Sequence, residues 1–176
     1  MSDAGPWRHE VTWRDAQRGL DIHLDADEAT RTGVAGLLEV EEAKAISADL
    51  RLAPWMDGVE VTGDLRALVT RLCGVSLDPF DEVIDEPIFL RFVPAGSPNV
   101  PGPEADDVVV DLDADDPPDV IEGEVIDLGH YVVEQLALAL DPFPRKPDAV
   151  FEAPDDGVNL SPFAALAALK AGPQPK

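Results

Sequence analysis

A chain of 176 residues has the size of one ordinary domain, and 45% apolar residues place it among globular rather than disordered chains. Thirteen Lys and Arg stand against 36 Asp and Glu, a formal net charge of −23; so negative an exterior repels phosphate backbones, whose capture needs cations to displace counterions, and this disfavours non-specific nucleic-acid binding over most of the surface. Cys73 is the single cysteine, which excludes an intramolecular disulfide and a multi-thiolate zinc site, and no stretch approaches the ~20 apolar residues of a bilayer span.

The start, Met1 to Glu10, holds two acids and no apolar run of signal-peptide length, so the expected compartment is the cytoplasm. Trp7 to Ile22 reads as an extended piece, with Trp7 and Trp13 able to pack onto a sheet. A short helix is expected from Asp25 onward, capped by Asp25 or Asp27 and weakened by Gly33 and Gly36. The middle reads as β. Ile46, Ala48, Leu50 and Leu52 alternate with polar or small neighbours, and Val59, Val61, Leu65, Ala67 and Val69 follow the same period of two. Met56-Asp57-Gly58 between them carries the Asp-Gly pair that hairpins favour. A third strand is expected over Ile88–Val93, started by Pro87, with apolar residues on both faces.

From Pro94 to Pro118 six prolines and a dense set of acids surround Val108-Val109-Val110, which reads as a mobile acidic loop with one short strand. Val120–Ile126 reads as a last strand. Asp127 to Leu140 is the strongest helix: Asp127 is its N-cap, Leu128, Tyr131, Val132, Leu136, Ala139 and Leu140 form one stripe, and Asp141-Pro-Phe-Pro ends it. Ser161–Lys170 reads as a short C-terminal helix. The expected fold is α+β: an antiparallel sheet packed by one long helix, with short N- and C-terminal helices and a mobile acidic loop, in a single domain over residues 1–176.

No local spacing joins His9, His23 and His130 into a metal site or a nucleophile–base pair, and His130 reads as structural. Cys73 fits packing at a strand end, with Arg71 a weak reason for a depressed pKa. Asp111, Asp113, Asp115, Asp119 and Glu122 fall on calcium-loop positions. Asp116 occupies the position that wants Gly, however, and Pro117-Pro118 follow, so a solvated acidic loop is the better reading. Arg145-Lys146, the one adjacent basic pair, suits a phosphate, an acidic partner or the protein's own carboxylates.

Two separated pieces resemble one family. Val59-Glu-Val-Thr-Gly-Asp-Leu-Arg-Ala-Leu-Val-Thr-Arg-Leu-Cys-Gly-Val-Ser-Leu-Asp-Pro-Phe precedes the strand Pro87-Ile-Phe-Leu-Arg-Phe, and Ile126-Asp-Leu-Gly-His-Tyr-Val-Val-Glu-Gln-Leu-Ala-Leu-Ala-Leu-Asp-Pro-Phe-Pro-Arg-Lys-Pro follows. In this order they look like the YceD family, the large ribosomal RNA subunit accumulation proteins. Many members carry Cys-x-x-Cys where this chain has Cys73 and Ser76, so a metal role for those cysteines does not carry over. The resemblance implies a requirement for normal accumulation of large-subunit ribosomal RNA and supplies no catalytic residue.

The expectation is therefore a non-catalytic accessory factor in ribosome biogenesis, without cofactor or metal, that binds basic ribosomal or rRNA-processing proteins and neither DNA nor membrane. The expected contact residues are Arg145, Lys146, Glu134 and Gln135 around the helix exit, and Asp111, Asp113 and Asp115 in the loop. Glu134 and Gln135 equally suit plain solvent-facing helix positions. Two alternatives stand beside it: a metal-dependent hydrolase or nuclease acting on ribosomal RNA precursors with clustered carboxylates, and a direct RNA-binding module using Arg145 and Lys146.

Overall fold

The computed structural model describes residues 5–100 and 117–151. Its order is β1 (Glu10–Thr12), α1 (Trp13–Ala16), β2 (Leu20–Asp25), α2 (Glu28–Leu37), β3 (Glu42–Trp55), β4 (Gly58–Leu72), β5 (Pro79–Pro94), β6 (Asp119–Ile121), β7 (Val125–Asp127) and α3 (Leu128–Ala139). Strands β2 to β5 form an antiparallel meander, β6 adds to β5 in parallel, and β1 pairs β7 in a separate two-stranded ribbon. The class is α+β with a mostly antiparallel sheet of five strands.

Alternation builds the sheet. In β3 and β4, Ile46, Leu50, Leu52, Val59, Val61, Leu65 and Val69 all turn to one buried face, and their intervening neighbours point the other way. Onto that face pack Val34 of α2 and Leu128, Val132 and Leu136 of α3. Asp27 caps α2 by accepting the Thr30 amide at 2.8 Å. Asp127 caps α3 at its own end, and its Oδ1 also accepts the His9 amide at 2.8 Å, so one carboxylate fixes both the helix start and the ribbon.

The β3–β4 hairpin turns on Met56 and Asp57, with Trp55 opposite Gly58. Met56 carries the positive φ of 52°; Gly58 is needed instead for room, because a Cβ there would lie 1.9 Å from the Phe92 carbonyl oxygen. The Asp-Gly pair therefore marks the right place for a different reason.

Four expectations are corrected. Trp7–Ile22 is not extended throughout: Thr12 accepts the Asp15 amide and opens the helical turn α1 between β1 and β2. Pro87 does not start a strand but lies in the middle of β5, opposite Asp64. The Cys73 amide bonds Asp78 in the same register, so by alternation the Pro87 nitrogen faces away from β4, where β5 has no neighbour and no ladder bond is lost. The second face of β5 is covered only at Val93, while Phe89 stays exposed. Val120–Ile126 is two strands, not one: Gly123, at φ 102°, breaks the run and sends β6 and β7 into different sheets. Val108–Val110 and Ser161–Lys170 lie outside the described residues.

Candidate functional site

Where β4 runs out, Cys73 enters a tight knuckle. Its amide bonds the Asp78 carbonyl, its carbonyl accepts the Leu77 amide, and Leu77 takes a positive φ of 60°. The segment after α3 then returns to this knuckle: the Gly74 amide donates to the Pro144 carbonyl at 2.8 Å, and the Lys146 amide points at the Cys73 sulfur at 3.4 Å. Val75 and Ser76 aim their amides at the same sulfur, at 3.4 and 3.5 Å. Arg71 clamps the junction from below, pairing Glu82 at 2.8 Å and donating to the Asp141 carbonyl.

Cys73 is thus a buried strand-end residue whose sulfur is ringed by N–H donors. The Ser76 amide and then the Lys146 amide pull its thiol down to about 6; burial pushes the other way and is outweighed. The guanidinium of Arg71 is not the cause, since it is taken up by Glu82 and Asp141. A depressed folded pKa favours the fold above the ordinary thiol range near 9, and that contribution disappears as pH falls through 6. The melting temperature of wild type minus that of Cys73→Ala should therefore widen from pH 5.5 to pH 9; a gap that is flat or narrows over that range contradicts the thiolate.

The predicted contact residues do not all meet. Arg145 and Lys146 sit on the knuckle: the Arg145 guanidinium donates to the Ala149 carbonyl at 3.2 Å, and the Lys146 ammonium lies 3.9 Å from Asp78. Leu77 and Phe143 are exposed on the same two segments. Glu134 is exposed and Gln135 half-buried on α3, and no hydrogen bond or ion pair joins either to Arg145 or Lys146. Glu134 instead lines a groove of about 570 Å³ with Trp7, Leu37, His130 and Val133. Asp111, Asp113 and Asp115 lie outside the described residues. Among the described residues no group of three or more His, Cys, Asp or Glu is placed to hold a metal ion, and no helix is long and apolar enough to cross a membrane. The sequence reading missed the Lys146 amide as a partner of Cys73. A backbone donor carries no residue-type signature, and only the proline-bracketed exit Pro144–Pro147 hints at a fixed path.

The rest of the surface is a charge ladder. Across the uncovered face of the sheet, Arg51 pairs Asp21 at 2.9 Å, His23 meets Asp49 at 2.7 Å and Arg66 reaches Asp49 at 3.2 Å. Lys44 pairs Asp81 at 2.6 Å. Arg91 pairs Glu60 at 3.1 Å and lies over the rings of Trp55 and Phe89. Each of these basic side chains already faces a carboxylate of its own chain.

These features define an acidic α+β protein whose five-stranded sheet is packed by helices on one face and bare on the other. The chain belongs to the YceD family of large ribosomal RNA subunit accumulation proteins, whose model matches residues 61–170. Comparisons with curated proteins and with solved structures gave no match.

Proposed function

We propose that the protein supports accumulation of large-subunit ribosomal RNA without catalysis, in the cytoplasm, by holding basic ribosomal or rRNA-processing proteins on its acidic surface. The observation that carries this reading is the pairing of surface cations with the chain's own carboxylates: it leaves the remaining acids to set the field, and that field steers cationic proteins inward and repels bare RNA. The family assignment supports the ribosomal setting. Exposed Phe143 and Leu77 beside Arg145 and Lys146 supply apolar area for a contact at the knuckle, with Glu134 and Gln135 farther along α3. Asp111, Asp113 and Asp115 add negative charge to attract the partner.

The test is capture from a lysate by the tagged protein, with and without nuclease. Basic ribosomal or processing proteins should remain bound after nuclease and be released as salt rises. Loss of every partner after nuclease would move the reading to direct RNA contact. Release of product from a ribosomal RNA precursor incubated with protein and a divalent ion would move it to the hydrolase.

A further inference from the structure

Strand β2 is an edge of the five-stranded sheet, with β3 as its only neighbour. Which backbone groups it leaves open follows from register. The Ala26 amide bonds the Ile46 carbonyl, continuing the β2–β3 pairing, so Leu24, Ile22 and Leu20 also exchange bonds with β3. The alternate residues Asp21, His23 and Asp25 then turn their amides and carbonyls outward. No hydrogen bond to these backbone groups occurs among the described residues. A row of unpaired groups of this length is a template for a further strand.

The two sides of this edge differ. On the packed side a groove of about 530 Å³ runs between β2 and β1, with Val11, Leu20 and Ile22 as its apolar lining; Arg18 at its mouth is held by Asp15. On the bare side stand Asp21, His23 and Asp25, next to Asp49; Arg51 pairs Asp21, and Arg66 and His23 reach Asp49, so Asp25 is the acid of this edge with no ion pair among the described residues. A strand added here would set alternate side chains into the groove and the others against the acids. A second copy of this chain is a poor occupant: antiparallel pairing centred on His23 would set Asp21 opposite Asp25, and like charges directly opposite are destabilising.

We propose that β2 is a strand-addition site for an extended segment of a basic protein, alternating apolar with Lys or Arg residues. This inference rests on the basic-partner reading for the sign of the ligand's charge, and it locates that partner on a strand outside the part of the chain matched by the family.

The probe is a synthetic peptide alternating lysine and valine, long enough to cover the six residues of β2. Bound to the full chain, it should slow amide exchange at Asp21, His23 and Asp25 about tenfold or more, leave the β3–β4 amides unchanged, and weaken as salt rises. His23→Pro removes one outward amide without touching the β3 ladder and should abolish this protection; Asp25→Lys should weaken binding severalfold while the fold holds. Binding that leaves the β2 amides unprotected, or that survives His23→Pro in a folded variant, overturns the site. Lysate capture separates the two failures: basic proteins still held by His23→Pro would sink the site alone, whereas their absence from wild type would sink the function. Equal protection by an alternating glutamate–valine peptide, or by self-association at high protein concentration, would also overturn the inference.

Discussion

Gly63→Ala should lower stability by about 3 kcal/mol, the upper end of what forced overpacking costs, and lower the melting temperature by roughly 6–12 °C. Gly63 sits in β4 opposite Leu50, and a Cβ built there would lie 2.0 Å from the Asp49 carbonyl oxygen and 3.0 Å from the Leu50 Cα. Both obstacles are backbone, so no side-chain rotation relieves them. One of the β3–β4 rungs must open, in the centre of the sheet. The matched control is Gly36→Ala in α2, where a Cβ meets nothing within 4 Å and helix propensity favours Ala by about 1 kcal/mol. Thermal unfolding of the two variants should move in opposite directions. A Gly63→Ala protein that melts within about 2 °C of wild type would show that β3 and β4 do not approach this closely.

Phe92→Ala should cost about 3–5 kcal/mol, the range for truncating a buried aromatic residue. Phe92 is fully buried, pairs Val59 on one side and Asp119 on the other, and sets its ring centroid 4.5 Å from that of Tyr131 on α3, tilted by 52°. It therefore joins the sheet to the helix. Tyr131 supplies a direct report, because it is the sole tyrosine in the chain. Burial pushes its phenol up to about 12, with the charges of Asp119 and Glu134 adding to the effect. A raised phenol pKa favours the fold below the ordinary value near 10, and that contribution is lost as pH rises through 12. Ultraviolet titration of native protein should show one late tyrosine; in Phe92→Ala the same transition should fall toward 10. An unchanged titration with a lowered melting temperature would separate packing loss from exposure of Tyr131.

Most of what the sequence revealed was local. The meander was legible because β3 and β4 bury one face only, which prints a period of two into Ile46 to Val69. Asp127 was legible as a cap, and Asp27 as one of two candidates beside Asp25, because a cap needs a short acceptor just before the helix. The misread elements depend on partners far away in sequence. Gly123 divides Val120–Ile126 because β5 claims one half and β1 the other, and neither claim is written in the seven residues themselves. The length of β5 was hidden by Pro87, which ordinarily bars a strand interior and is tolerated here because its nitrogen faces an unoccupied side.

The candidate surfaces divide in the same way. Acidity was readable from counting, whereas the pairing of Arg51, Arg66 and Arg91 with carboxylates on neighbouring strands needed the register of four strands. Cys73 was readable as a strand end, but its ring of amides is assembled from Val75, Ser76 and the distant Lys146. Grouping Glu134 and Gln135 with Arg145 and Lys146 relied on closeness in sequence, and Glu134 lines a groove with Trp7 and Leu37 instead.

The ribbon of β1 and β7 also bears on how the chain emerges during its own synthesis. Glu10 waits for Asp127, and Leu128 must arrive before its amide can close on the His9 carbonyl. The hairpins of β2 to β5 can close while the growing end is still being extended, but Trp7 to Thr12 has no seat until more than a hundred further residues have been added. That stretch, which carries Trp7 of the core, is thus left bare longest, and it is where a nascent-chain chaperone would find its foothold.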